Sequence, residues 1–90
     1  MKIVKSKQFE KDIVKLSIST NKIDKTLLLF SNDSSYSSLH NKHIVCKKAD
    51  NLYSLRIDDN YRILYFKLEN SYRMDRCLTH TKYDRLTKNC

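Results

Sequence analysis

The hydrophobic pattern changes period near the middle of the chain, and this change limits the possible folds more than any other feature. In residues 9–30, apolar side chains recur three and four positions apart, whereas from about residue 43 they alternate with polar ones. The first spacing is typical of helices buried on one face, and the second of half-buried strands. The sequence therefore predicts an α+β domain in which two helices precede an antiparallel sheet. The two helical stripes consist of Phe9, Ile13 and Leu16, and of Ile23, Leu27 and Phe30.

Local signals place the boundaries of these elements. Met1–Lys5 reads as a short strand, and Ser6 is a residue type that caps the start of a helix. A second helix begins near Thr20, and its short connection to the first predicts an antiparallel helical hairpin. This hairpin should cover one face of the sheet and leave the other open, within a single domain of residues 1–90. Further strands are predicted at His43–Lys48, Leu52–Asp58, Tyr61–Leu68 and Tyr72–Thr79, before a polar and basic tail, His80–Cys90.

The chain contains no glycine and no proline. Tight turns with positive φ usually recruit glycine, because other residues clash there. Asparagine and aspartate tolerate such turns better than other residues, so we expect them to replace glycine here. The positions concerned are Asn32–Asp33, Asp50–Asn51, Asp58–Asn60 and Glu69–Asn70.

A formal net charge of +8 on 90 residues is the strongest compositional signal of function. Such a charge attracts nucleic acids and acidic proteins, although a merely solvated lysine-rich surface would give the same count. No apolar run approaches the roughly 18 residues of a membrane span, and the N-terminus lacks the apolar core of a signal peptide. We therefore expect a soluble, cytoplasmic protein with no membrane partner.

The cysteines, at positions 46, 77 and 90, are odd in number and widely spaced. Neither a disulfide framework nor a zinc site is expected from this arrangement. We expect two reduced core thiols and a third at a frayed C-terminus, with no metal and no cofactor.

Three segments resemble the RelE/ParE superfamily of toxins. Leu52–Tyr65 is similar to its paired strands, in which an aromatic residue and an arginine precede a turn and an Arg-apolar-apolar-Tyr strand. Ser38–His40 resembles the Leu-His pair that leads into the sheet. Thr79–Tyr83 resembles the C-terminal His and Tyr cluster of ribonuclease members of the YoeB- and YafQ-like type. The order strand, helix, helix, strands also fits the superfamily.

The resemblance implies a function and partners. Ribonuclease members of the superfamily cut mRNA in the ribosomal A site, where the RNA's own 2′-OH attacks the adjacent phosphate without a metal. Each toxin of the superfamily is neutralised by an antitoxin. Because this chain is basic, we expect its antitoxin to be an acidic, helical protein. ParE members share the fold but inhibit DNA gyrase. A gyrase inhibitor, an inactive antitoxin-binding homologue and a generic RNA-binding protein therefore remain as alternatives.

Three residues are candidates for catalysis because their chemistry is suitable and they match superfamily positions. Arg56 lies on the polar side of its strand and could grip two phosphate oxygens, although it could also pair with Asp58 or Asp75. His80 can take or give a proton near neutral pH; the alternative is a histidine at the strand end whose ring bonds the backbone. If the tail turns helically, Tyr83 shares a face with His80, where it could stack on a base or donate a proton, or simply seal the sheet.

Several basic residues are candidate contacts to rRNA and mRNA phosphates, and their summed effect would give salt-dependent binding. Arg62, which matches the superfamily position, could equally hold the fold together. YoeB-like members also use a loop glutamate as a base, but here Asp33 and Asp50 are the only acids of residues 31–50 and read as turn residues. The general base therefore stays unassigned. The candidate contacts are Lys42, Lys47, Lys48, Arg62, Arg73, Arg76, Lys82 and Arg85.

Overall fold

Three α-helices and a five-stranded sheet form the fold of the computed structural model, which describes residues 2–90. A single 3₁₀ turn, Ser37–Leu39, follows the second helix within this range. The α+β class and the predicted order of elements are confirmed. The elements in chain order are β1 (Lys2–Lys5), α1 (Lys7–Lys15), α2 (Thr20–Asn32), β2 (Lys42–His43), β3 (Leu52–Arg56), β4 (Tyr61–Lys67), β5 (Ser71–Thr79) and α3 (His80–Lys88).

The strands are arranged in the order β1-β5-β4-β3-β2. Strands β2 to β5 are antiparallel as predicted, with β4 at the centre of the sheet. The sheet as a whole is mixed, because β1 pairs in parallel with β5. The crossover through both helices allows this parallel pairing, since parallel neighbours need a long connection.

The main core lies between the helical hairpin and one face of the sheet. Both predicted helical stripes are turned towards this core, and Phe9, Ile23 and Phe30 are almost completely buried. Burial of each such side chain contributes on the order of 1.5–3 kcal/mol. The sheet supplies the other half of the core through Leu55, Ile63, Tyr65, Met74 and Cys77.

The opposite face of the sheet is not open, which corrects the prediction made for it. The supposed tail forms α3, whose start is capped by the Thr79 side chain accepting from Lys82 N–H at 3.2 Å. Tyr83 of α3 packs against a second apolar cluster on this face, formed by Ile44, Leu52, Leu64 and Leu78. We call this surface the α3 face. The predicted strand His43–Lys48 is also wrong, because pairing with β3 ends at His43 and the chain then turns.

The turns lack glycine, but asparagine and aspartate do not take the left-handed positions that were predicted for them. Within residues 2–90, positive φ values occur at Ser17 (54°) and His40 (43°), and not at asparagine or aspartate. The aspartates act through their side chains instead. Asp33 accepts the N–H of Ser35 at 3.0 Å, and Asp58 accepts that of Asn60 at 2.8 Å. Such hydrogen bonds close a turn without left-handed backbone at the aspartate.

Ser17 ends α1 in a Schellman motif. Its N–H bonds the carbonyl of Val14 at 3.1 Å, and the next N–H, of Ile18, bonds that of Ile13 at 3.1 Å. This motif favours glycine at the left-handed position, because a Cβ atom there costs roughly 1 kcal/mol. We expect Ser17→Gly to raise the free energy of unfolding by about 1 kcal/mol in urea denaturation. Ser19→Gly, just outside the left-handed position, is the control, and an equal or larger gain there would contradict this explanation.

The cysteines are only partly as predicted. Cys77 is a buried free thiol, but Cys46 and Cys90 form a disulfide, with their Cα atoms 4.7 Å apart. The expectation of three reduced thiols is therefore wrong for this pair. Its physical reason is α3, which returns the C-terminus to the turn after β2.

A buried carboxylate fastens α1 to the sheet. Strand β1 accompanies β5 only as far as Met74, so α1 covers the next part of that edge. There Asp12, which is 6% exposed, accepts the N–H of Cys77 at 3.0 Å. It also accepts from Arg76 Nε at 2.8 Å and Gln8 Nε2 at 2.9 Å. Burial alone would raise the pKa of Asp12, but these hydrogen bonds outweigh it and hold the pKa below its ordinary value.

Candidate nucleic-acid interface

The strand register gathers cationic side chains on the α3 face. Arg56 at the end of β3 lies directly opposite Arg62 at the start of β4. One row further along, Ser54 lies opposite Lys42 of β2. Because side chains alternate along a strand, Arg56 and Ser54 share a face, as do their cross-strand partners. Arg56, Arg62 and Lys42 therefore lie on one face, and the two arginines are adjacent across the strands.

The β3–β4 hairpin holds both guanidinium groups. Arg56 forms an ion pair with Asp59, rather than with either aspartate expected from the sequence. Arg62 donates to two backbone carbonyls, those of Asp58 at 2.5 Å and Tyr61 at 3.0 Å. Like charges directly across a sheet repel one another, and here the Asp59 carboxylate and the two carbonyls offset part of that repulsion.

Asp58 gives the hairpin its shape. Besides the N–H of Asn60, its carboxylate accepts that of Tyr61 at 3.0 Å and the Lys22 ammonium of α2 at 2.8 Å. Partial burial would raise the pKa of Asp58, but the hydrogen bonds from Lys22 and Asn60 lower it below its ordinary value. The hairpin that carries the two arginines is thereby tied to α2.

Helix α3 begins at the same end of the sheet. Its first residue, His80, donates its backbone N–H to the carbonyl of Asn60 at 2.8 Å, next to the hairpin. The imidazole Nε2 lies 3.3 Å from Asp84 Oδ2, and the His80 side chain is 49% exposed. An exposed imidazole therefore stands beside the hairpin that bears Arg56 and Arg62.

Tyr83 lies one turn further along α3 and reaches the sheet. Its hydroxyl is 2.9 Å from the Oγ of Ser54, which is 3% exposed. Ser54 stands two positions before Arg56 on the same strand face. The structure thus brings Arg56, Arg62, His80 and Tyr83 to one end of the sheet. Ser54 was not predicted as a site residue, because only the tertiary arrangement gives it Tyr83 as a partner.

A second group of cations surrounds a cavity of about 440 Å³ between α1, β5 and the start of α3. Lys82 lies here with Arg76 and with two lysines that were not predicted to contact RNA, Lys11 and Lys15. Arg76 is bound to Asp12, which gives it a structural role. Arg76 and Lys82 therefore line a different surface from Arg56 and Arg62 of the hairpin.

The remaining basic candidates are scattered. Lys47 and Lys48 are exposed in the turn after β2, and Arg73 is exposed in β5, 3.9 Å from the Asp75 carboxylate. Arg85 lies in the last turn of α3, where a cation is favourable to the helix dipole. No common surface is evident for these four residues.

A cavity of about 290 Å³ adjoins Arg56 on its other side, facing α2. Lys22 and Lys25 line it, together with the hydroxyl-bearing residues Thr26 and Ser38. The sequence signal for these lysines was their spacing of one helical turn on α2, which by itself indicates only a solvated face. Both lysines thus lie near Arg56 on the α2 side of the sheet, where Lys22 is already paired with Asp58.

Other kinds of chemistry find less support in the described part of the chain. Burial raises the pKa of Cys77 to about 12, so this thiol is not a nucleophile at neutral pH. Across residues 2–90, no three His, Cys, Asp or Glu side chains are grouped closely enough to hold a metal ion. None of the helices in that range is both long and apolar enough to cross a membrane.

The fold and this basic surface define a small α+β domain with a cationic site at one end of its sheet. A sequence model of the ParE-like toxin domain matches residues 20–85. The chain therefore belongs to the family of ParE-like toxin domains, within the RelE/ParE superfamily. No curated protein sequence matches it.

Several solved structures share the fold. The Escherichia coli DinJ–YafQ complex matches with a TM-score of 0.70 and 20% identity, covering 89% of this chain and 93% of that one. A metal-bound toxin from Helicobacter pylori matches with a TM-score of 0.73 and 17% identity, covering 91% and 97%. A YoeB/ParE toxin from Agrobacterium tumefaciens matches with a TM-score of 0.64 and 16% identity, covering 89% and 99%. At these identities the likeness concerns the fold alone.

Proposed function

We propose that this chain is the toxin of a toxin–antitoxin pair and an endoribonuclease that cuts mRNA on the ribosome without a metal. The observation that carries this proposal is the convergence of two guanidinium groups, an exposed imidazole and a phenol at one end of the sheet. An RNA phosphate placed there would meet positive charge and proton-carrying groups together.

The reaction needs no nucleophile from the protein. The 2′-oxygen of one nucleotide attacks its own 3′-phosphate, and the bond from phosphorus to the 5′-oxygen of the next nucleotide breaks. The 2′-OH proton passes to a base, and the leaving 5′-oxygen receives a proton. The products are a 2′,3′-cyclic phosphate and a 5′-hydroxyl end.

The residues divide this work according to their chemistry. Arg56 and Arg62 stabilise the extra negative charge of the phosphorane, for which a forked guanidinium is well suited. His80 transfers a proton, and Asp84 orients its ring. Tyr83, fixed by Ser54, positions the nucleotide or supplies a second proton. Which group removes the 2′-OH proton is left open between His80 and a group on the ribosome or RNA.

An antitoxin is the proposed protein partner. The DinJ–YafQ structure shows that a toxin of this fold occurs in a complex. A net charge of +8 favours an acidic partner, whose encounter with the toxin would be accelerated by attraction. We propose an acidic, helical antitoxin, with ribosome and mRNA as the partners of the free toxin.

The test is primer extension on cellular mRNA after induced expression. We expect cuts inside translated codons, with 5′-hydroxyl ends that can be ligated only after phosphorylation. Arg56→Ala should reduce cutting by about 100–1,000-fold, the cost of removing one stabilising donor. Lys67→Ala, an exposed cation at the opposite end of β4, is the matched control. Unchanged cutting by Arg56→Ala would contradict the proposal.

A gyrase inhibitor is the second candidate, favoured by the match to the ParE-like family. Such a protein would arrest growth by blocking DNA supercoiling and would leave mRNA intact. Supercoiling assays with purified gyrase separate the two activities, since inhibition by both the native chain and Arg56→Ala would support this candidate.

A further inference from the structure

The Cys46–Cys90 disulfide joins the far end of α3 to the turn between β2 and β3. The two residues are 44 positions apart in sequence. Helix α3 is otherwise attached at its first residue, where it continues from β5, and through Tyr83. The disulfide therefore fixes the C-terminal end of α3, the helix that carries His80 and Tyr83, to the rest of the domain.

Noncovalent contacts hold α3 only weakly. None of its residues is buried, and Leu86 is 42% exposed. A helix of nine residues is marginal in water without packing or a cross-link. Its main contact with the sheet is Tyr83, which packs against the second apolar cluster. Cys46 and Cys90 are partly buried against the same cluster.

The pair is open to thiol chemistry, in contrast to the third cysteine. Cys46 and Cys90 are both partly exposed, and Lys47 and Lys48 follow Cys46 directly. Partial exposure lets a small disulfide reach both sulfur atoms. Cys77 is sealed in the core and cannot compete for either partner.

We propose that Cys46 and Cys90 form a reversible redox clasp, closed by a low-molecular-weight disulfide such as oxidised glutathione. One cysteine thiolate attacks the small disulfide and releases one thiol. The other cysteine then attacks the mixed disulfide, forms the Sγ–Sγ bond and releases the second thiol. The protein loses two hydrogen atoms, and the oxidant is reduced to two thiols.

The clasp controls how firmly α3 lies on the sheet. When it is closed, His80 and Tyr83 stay beside Arg56; when it is open, the C-terminal turns of α3 fray. In its consequence for RNA cleavage, this inference rests on the proposed function. The clasp itself concerns the structure and can be measured without any RNA.

The test compares hydrogen–deuterium exchange of the purified native chain in oxidised glutathione and in dithiothreitol. We expect the amides of residues 82–88 to exchange about tenfold faster in the reduced protein, with exchange in β4 unchanged. Peptide mapping after thiol alkylation should identify the Cys46–Cys90 bond in the oxidised sample. Equal exchange in both states, or no disulfide in oxidised glutathione, would overturn the proposal.

Two variants separate the clasp from general effects of the redox reagents. Cys46→Ser should exchange like the reduced protein in both conditions, and so should Cys90→Ser. Cys77→Ala keeps the clasp and should respond to the reagents like the native chain. A response of Cys46→Ser to oxidation would count against the pair. Inactivity towards RNA in both redox states would reject the proposed function and leave the exchange result intact.

Discussion

Replacing His80 with alanine is expected to slow mRNA cleavage by about 100-fold or more. An acid–base group typically contributes about 10²–10⁴ to a rate, and His80 is the exposed imidazole next to the arginine pair. The fold should survive, because the backbone N–H that bonds Asn60 is kept. Cleavage of a defined mRNA on purified ribosomes measures the effect.

His43→Ala is the matched control for this experiment. His43 is equally a surface imidazole, but it lies in β2 on the face opposite Arg56. Its ring packs against that of Tyr53 at a tilt of 48°, with 4.9 Å between the ring centroids. We expect cleavage by His43→Ala to remain within about twofold of the native rate, as for surface changes away from a site. Full activity of His80→Ala would remove histidine from the mechanism and favour the gyrase alternative.

Replacing Asp12 with alanine is expected to cost about 2–4 kcal/mol of stability. The change leaves the buried Cys77 N–H without an acceptor and strips Arg76 of its partner. For a chain of this size the loss corresponds to a fall in Tm of roughly 10–25 °C. Thermal denaturation followed by circular dichroism measures it. Asp24→Ala, an exposed aspartate on α2, should change Tm by no more than about 3 °C.

The contribution of Asp12 should also depend on pH. Because its folded pKa lies below the ordinary value of 3.8, its stabilisation is complete above about pH 5 and is lost as pH falls through the folded pKa. The difference in stability between the native chain and Asp12→Asn should therefore shrink on acidification below pH 4. A constant difference from pH 7 to pH 3 would show that the carboxylate charge has no part in it.

The elements that the sequence predicts well are those set by local patterns. The stripes of α1 and α2 depend on neighbours three and four residues away, and Ser6 indeed caps α1 by accepting the N–H of Phe9 at 3.0 Å. The alternation of β3 likewise placed Arg56 on the face away from Leu55. Such patterns fix which side of an element is buried, but not what covers the other side.

The features that escaped prediction depend on residues distant in sequence. Nothing in the sequence around Asp12 indicates its partners Arg76 and Cys77, which lie more than 60 positions away. The seat of α3 depends on Ser54 and on Cys46, neither of which carries a signal in its own neighbourhood. The site residues Arg56, His80 and Tyr83 remain predictions, since their roles come from resemblance and chemistry rather than from a measured activity.

The parallel pairing of β1 with β5 has a consequence for biosynthesis. Lys2–Lys5 must wait for Ser71–Met74 before their backbone groups are satisfied. A nascent chain can thus form α1 and α2 early but cannot complete the sheet until β5 has emerged. Topologies with such distant partners also fold slowly. The domain therefore acquires its complete sheet, and with it the surface on which α3 lies, only after β5 has been synthesised.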